Sequence, residues 1–279
     1  MSPKPLPPLL TGKTAEMILG GDKRISLDLG LSSVDIEYDG AEMYLPDGFR
    51  VSHEDLEIIS KRGSSVFFVD TKGVFQVAVS TNHYYKLIAT EGAPTLEIDG
   101  IRMHRTKDTT PDEDTRTKLH SLGFTGGRVL DTCNGLGYTA IESARLGAEF
   151  VVTVERSSPV LLVSRMNPWS RELYTDSRIH LMLGDSFELV NSFPDNVFNY
   201  VIHDPPRLTL AGELYGLEFY RRLARVMKSG GGLFHYTGEP GGKYRRRDVQ
   251  KGVIRRLRKA GFSGLHYVPE ALGVLGVKS

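Results

Sequence analysis

From residue 128 onward, apolar runs of five or six residues alternate with longer stretches of helical periodicity, and the last two runs are separated only by Pro269-Glu270-Ala271. Parallel strands must be joined by a crossover of a dozen or more residues, usually a helix, so this alternation demands a parallel sheet with helices on its faces. Strands are expected over 128–132, 150–155, 179–183, 198–203 and 232–236. Helices are expected near 138–147, 158–167, 186–192, 213–229 and 247–260. Three residues cannot hold a helical crossover, so 262–268 and 272–277 should pair as an antiparallel hairpin. The expected fold class is α/β, a parallel sheet finished by an antiparallel hairpin.

The first hundred residues have a different texture. Short candidate strands at 24–29, 34–38, 42–45, 65–69, 74–79 and 96–98 are punctuated by Asp39-Gly40, Asp47-Gly48, Lys72-Gly73 and Asp99-Gly100. A helix should start at Ser52, where Ser52-His53-Glu54-Asp55 supplies a cap and an acidic first turn. The organisation expected is a β-rich N-terminal domain at 1–104, a linker and lead-in helix at 105–127, and an α/β domain at 128–279. The stretch 104–117 is charged and threonine-rich, and reads as a linker or loop. One cysteine, Cys133, excludes an intrachain disulfide and a cysteine-based zinc site. No apolar run approaches the ~18 residues of a membrane span, and the proline-rich N-terminus lacks a signal-peptide core. A cytoplasmic protein with no membrane partner is expected.

Acidic residues and glycines stand where the apolar runs stop. Asp131-Thr132-Cys133-Asn134-Gly135-Leu136-Gly137 follows the first run, Glu155 and Arg156 the second, Asp185 and Ser186 the third, and Asp204-Pro205-Pro206-Arg207 the fourth. All four groups therefore lie at the carboxyl edge, where open α/β sheets bind ligands. Gly135 and Gly137 permit a tight turn into a helix whose first N–H groups are exposed. A carboxylate at Glu155 can accept both hydroxyls of a ribose. The loop with Glu155 also fits a nicotinamide-dinucleotide site; Asp131, Asp185 and the Asp-Pro-Pro sequence favour an S-adenosylmethionine (SAM) type of ligand instead. Asp204 and the Pro205 carbonyl, the latter fixed by consecutive prolines, could accept hydrogen bonds from an amine and favour its nucleophilic form.

This order of motifs resembles the class I SAM-dependent methyltransferases with a Rossmann-like sheet, and the Asp-Pro-Pro sequence resembles the signature of those that methylate exocyclic amines. A looser likeness is to a family of predicted archaeal methyltransferases with a β-rich N-terminal domain. The resemblance implies an N-methyltransferase using SAM. Asp131, Cys133, Asn134, Gly135, Gly137, Glu155, Arg156, Asp185 and Ser186 would hold the cofactor, and Asp204, Pro205 and Pro206 would act on the amine. Two departures stand out: Cys133 replaces a glycine of the loop, and Arg207 replaces the aromatic that follows Asp-Pro-Pro in the family.

Residues 243–259 carry nine Lys/Arg and one acid, a +8 segment in a chain of net +1. Tyr244, Arg245, Arg246 and Arg247 fall after the fifth strand, near the proposed site, and could bind phosphates and stack a base. With Arg207 they point to RNA as the substrate, with ribosomal RNA cytidine as the specific expectation. Two alternatives remain at this stage. One is an aminopropyltransferase of the polyamine-synthase type, which shares the fold but which the arginines oppose. The other is a non-catalytic RNA-binding protein.

Overall fold

The computed structural model describes residues 6–45, 48–238 and 249–279. They fall into two compact units, one made of 1–112 with 159–171 and the other of 113–158 with 172–279. In chain order the elements from Pro111 onward are α1 (Pro111–Ser121), β1 (Gly127–Asp131), α2 (Tyr138–Arg145), β2 (Ala148–Glu155), α3 (Ser158–Arg165), α4 (Arg171–Thr175), β3 (Ile179–Leu183), α5 (Ser186–Leu189), β4 (Phe198–His203), α6 (Leu217–Val226), β5 (Met227–Tyr236), α7 (Val249–Lys259), β6 (Phe262–Val268) and β7 (Gly273–Lys278). The strands form one sheet in the order β3-β2-β1-β4-β5-β7-β6. β1 to β5 are mutually parallel, and β7 runs antiparallel between β5 and β6. This is a class I methyltransferase-like sheet, as the sequence pattern predicts.

The strands read as unbroken apolar runs because both faces are covered. Leu130, Val201 and Leu233 face one core with Phe219, Tyr220, Leu223, Val253 and Leu257 from α6 and α7. Their neighbours Val129, Ile202 and Phe234 face the other core with Leu119, Ala140, Ile141 and Ala144 from α1 and α2. In α7, Val253 and Leu257 are buried while Lys251, Arg255, Arg258 and Lys259 are exposed.

Several expected boundaries shift. The helix expected over 213–229 becomes a 3-10 turn at Gly212–Tyr215 followed by α6, which ends at Val226 because Met227 is extended and pairs with Phe198. The glycine-rich residues that follow are thus strand, and β5 begins five residues before the expected 232. The helix expected at 186–192 splits into α5 and a 3-10 turn, Val190–Ser192. The stretch read as linker or loop at 104–117 contains most of α1.

Within 1–112 the first unit holds short antiparallel strands and the helices Gly12–Leu19 and His53–Ser60, and its segment 159–171 adds most of α3. Ser52 caps the second, its hydroxyl accepting from the Asp55 N–H at 3.1 Å, as the sequence predicts. The first helix is capped by Thr11 and was not expected. The strand expected at 24–29 is only Arg24–Ile25, since Leu29 and Gly30 turn with φ of 58° and 92°. The run 74–79 divides between Gly73–Gln76 and Ala78–Ser80, which belong to different sheets.

Two histidines are sealed in the centre of the large sheet. His203 and His235 are register partners on β4 and β5, both fully buried, with ring centroids 4.4 Å apart. His203 donates from Nε2 to the Leu214 carbonyl at 3.0 Å, so its Nδ1 accepts from the Thr132 hydroxyl at 2.6 Å. His235 donates from Nδ1 to the Tyr236 carbonyl and accepts from the Tyr220 hydroxyl, both at 2.8 Å. Each ring is therefore satisfied in its neutral form. Burial pushes His203 down to about 3 and His235 well below the ordinary histidine value. The unfolded chain takes up these protons near pH 6.5 while the folded chain does not, so stability is complete above that value and is lost as pH falls. Denaturant titrations should show the wild type losing roughly 3 kcal/mol between pH 7 and pH 4 from His203 alone, a loss His203→Gln should remove. An acid dependence unchanged in that variant would place the proton uptake elsewhere.

Candidate active site

The candidate site is built from the carboxyl ends of β1, β2 and β4. The Asp131 side chain at the end of β1 is fully buried and accepts from the Thr153 hydroxyl at 2.8 Å and the Cys133 N–H at 3.4 Å. Burial raises its pKa to about 7, and the charges of Asp204 and Glu155 push in the same direction. The loop that follows is stitched to both flanking strands. Thr132 N–H donates to the Ile202 carbonyl at 3.1 Å, and Asn134 N–H to the Val154 carbonyl at 2.8 Å. The Asn134 side chain accepts from Thr153 at 3.1 Å and donates to the Gly135 carbonyl at 2.7 Å.

Glycine is required twice in this loop. Gly135 and Gly137 have φ of 55° and 85°, and a Cβ on Gly137 would stand 2.7 Å from Leu173 Cδ2. Gly135 N–H donates to Glu155 Oε2 at 2.9 Å, while Glu155 Oε1 accepts from Ser157 N–H at 2.8 Å. Glu155 thus ties the loop to the end of β2 and keeps a lone pair on each oxygen for a further donor. Its pKa is raised by burial, against these two backbone hydrogen bonds. At Cys133 burial and the neighbouring Asp131 charge hold the thiol well above its usual value, which disfavours a nucleophilic thiolate.

Asp185 caps α5, accepting from the Phe187 N–H at 2.9 Å, and lies 3.6 Å from the exposed Arg156 guanidinium. Arg156 also approaches Glu213, at 3.7 Å. The buried Ser186 hydroxyl donates to the Thr132 carbonyl, which fixes it as a tie between loop and α5.

At the end of β4, Asp204 is held by a residue the sequence reading missed. Lys118 on α1 places its ammonium 2.5 Å from Asp204 Oδ2 and 2.7 Å from Asp114 Oδ2, 4.9 Å from the Tyr236 ring centroid. Lys118 and Asp114 are almost wholly buried, and Asp204 keeps about a quarter of its side chain exposed. Burial alone would lower the lysine pKa; the two carboxylates outweigh it and raise it above the ordinary value. The only sequence signal was the Asp114/Lys118 spacing of four on one helix face, which on so charged a helix reads as a solvated pair. Pro205 is buried and Pro206 exposed, with the Pro206 carbonyl accepting from Tyr215 at 3.0 Å.

Arg207 is exposed. Tyr244, Arg245, Arg246 and Arg247 lie outside the described residues. Arg256 of the basic helix is committed to structure, its Nε donating to the Tyr215 carbonyl at 2.7 Å. Among the described residues no group of His, Cys, Asp and Glu could hold a metal ion, and no helix is long and apolar enough to cross a membrane.

No family model matches the chain. It is 30% identical over 125 residues to polyamine aminopropyltransferase 2 of Streptomyces coelicolor, spanning 42% of this chain and 23% of that protein. It is 26% identical over 154 residues to the polyamine aminopropyltransferase of Sulfolobus acidocaldarius, spanning 53% of this chain and 51% of that one. Its structure is similar to that of spermidine synthase in complex with the transition state analogue AdoDATO, with a TM-score of 0.59 and 19% identity over 72% of this chain and 73% of the other. At that identity the likeness establishes the fold. The named relatives are enzymes, and they overturn the expected SAM-dependent methylation of RNA, ribosomal RNA cytidine included, and the RNA-binding alternative. The fold, shared by both enzyme classes, misled that expectation. Along nearly its full length, 277 residues covering 96% of it and 95% of the relative, the chain is 47% identical to the uncharacterized protein MJ1233 of Methanocaldococcus jannaschii, and it belongs to the family of that protein.

Proposed function

We propose that this chain transfers an aminopropyl group from decarboxylated SAM to an amine. The observation that carries the reading is the buried acid at the end of β1, Asp131, coupled to Asp204 at the end of the adjacent β4. A desolvated carboxyl whose proton is held until about pH 7 gains most from a cation brought against it. Decarboxylated SAM carries an ammonium at the end of the transferred chain and has lost the carboxylate that such acids would repel. The donor set fits the nucleoside part as well: Glu155 retains acceptor capacity for ribose hydroxyls, and the Gly135–Gly137 turn leaves no side chain between the backbone and a ligand. The aminopropyltransferase relatives support the same reading, and the exposed Arg207 does not oppose it.

In the reaction the acceptor nitrogen's lone pair forms a C–N bond to the carbon beside the sulfonium. The C–S bond breaks with its electrons passing to sulfur, and a neutral thioether nucleoside leaves. Asp204 orients the acceptor through the oxygen that Lys118 does not engage. The proton released from nitrogen passes to a carboxylate or to water. Most of the acceleration comes from holding nitrogen, carbon and sulfur in line.

The direct test is mass spectrometry of the protein incubated with decarboxylated SAM and a panel of amines. An aminopropylated amine and methylthioadenosine should appear in equal amounts. Absence of both with every amine, alongside methyl transfer from SAM, would sink the proposal.

Asp131 makes a second, thermodynamic prediction. Its pKa is higher in the folded protein than in the unfolded chain, so the ligand-free protein loses stability as pH rises from the ordinary carboxylate range through about 7. Asp131→Asn keeps the oxygen that accepts from Thr153 and removes the charge. At pH 8 it should stabilise the free protein by roughly 2–4 kcal/mol and weaken donor binding at least tenfold, about 1.4 kcal/mol. Denaturation and calorimetry at pH 8 check both effects; unchanged donor affinity would remove Asp131 from the donor site.

A further inference from the structure

Lys118 fills a cage that is itself an ammonium site. Two carboxylate oxygens stand 2.5 and 2.7 Å from its Nζ, and the face of Tyr236 lies beneath. That combination of acids and an aromatic face is how proteins recognise free alkylammonium groups. The lysine side chain is in chemical terms a tethered butylammonium, and here it is almost completely removed from solvent. It is not poised to swing out: its departure would leave Asp114, 3% exposed at its side chain, as a buried carboxylate facing Asp204 without the intervening cation. The cage adjoins Asp204, whose remaining exposure is the approach for the acceptor amine.

We propose that Lys118 is a specificity-determining residue, which fills with the chain's own ammonium a subsite shaped for the second ammonium of a diamine. An acceptor then offers a single amine to Asp204, and a short diamine gains nothing from its other end. This inference rests on the aminopropyl-transfer reading, in which an amine docks at Asp204. It names the acceptor class: an amine with no second cation a few methylenes away. Exclusion by a resident like charge is the usual means of discriminating against a close analogue.

The test opens the cage. Lys118→Ala removes three carbons and the ammonium, and should leave room for one ammonium of cadaverine between Asp114 and Asp204 while its other end reaches toward the exposed side of Asp204. Calorimetry should show wild type binding cadaverine no better than pentylamine. Lys118→Ala should bind cadaverine about tenfold or more tighter than wild type, a gain larger than pentylamine shows, and thermal melts should rise with the diamine more in the variant than in wild type. If Lys118 served only to hold α1 in place, its loss would lower stability with no diamine-selective gain, and that result overturns the proposal. Should the single variant not fold, Lys118→Ala/Asp114→Asn also removes one buried negative charge and should show a smaller gain in the same direction; no gain there also overturns it. Binding needs no turnover, so the two readings fail separately. A wild type that aminopropylates no amine refutes the transfer reaction, whereas an unselective Lys118→Ala refutes the cage alone.

Discussion

Parallel pairing of β1 with β4, in which Asp131 stands opposite Ile202, sets the geometry on which the site depends. Sheet order reverses at this pair: the chain proceeds outward from β1 through β2 to β3, then returns to build β4 and β5 on the other side. The connections leaving β1 and β4 therefore diverge to opposite faces, and a crevice opens between their carboxyl ends. Asp131 and Asp204 stand at the lips of that crevice. Hydrogen bonds from the loop to Ile202 and Val154 hold the glycine turn against both neighbouring strands, so the loop inherits the rigidity of the sheet.

The electrostatics follow from putting acids there. A buried carboxyl alone is costly, and the structure meets the cost in different ways. Asp131 stays protonated to an unusually high pH. Glu155 takes two backbone N–H groups. Asp204 and Asp114 share one lysine. The first arrangement leaves a demand for a cation, the second leaves acceptor capacity, and the third is closed by the protein itself. A ligand with one terminal ammonium and two hydroxyls meets the first two.

How much of this was legible follows from where each signal sits. The sheet was visible because strands buried on both faces must be continuously apolar, as Val129-Leu130 and Val201-Ile202 are. The four acids were visible because each ends such a run. The early start of β5 was hidden by Lys228, Ser229 and three glycines, poor strand formers that make an irregular stretch between the pairs Phe198–Met227 and Tyr200–Gly232. Lys118 was hidden for a different reason. Its partner Asp204 is 86 residues away, and nothing local distinguishes a lysine turned into the sheet edge from one turned to water. The sheet is similar to that of both spermidine synthase and SAM-dependent methyltransferases, so the strand-end acids do not separate the two reactions. The motifs alone therefore pointed to the wrong transfer.

The division into units has a consequence for where the chain can be cut. Segment 159–171, which lies in sequence between β2 and β3, clusters with residues 1–112. Within that unit the chain's single tryptophan, Trp169, donates its indole N–H to the Leu29 carbonyl at 3.1 Å. Neither unit is a continuous stretch of chain, and no single cut separates them. A truncation that discards the first hundred residues would strip the β2–β3 crossover of its packing partners and leave the indole N–H without its acceptor.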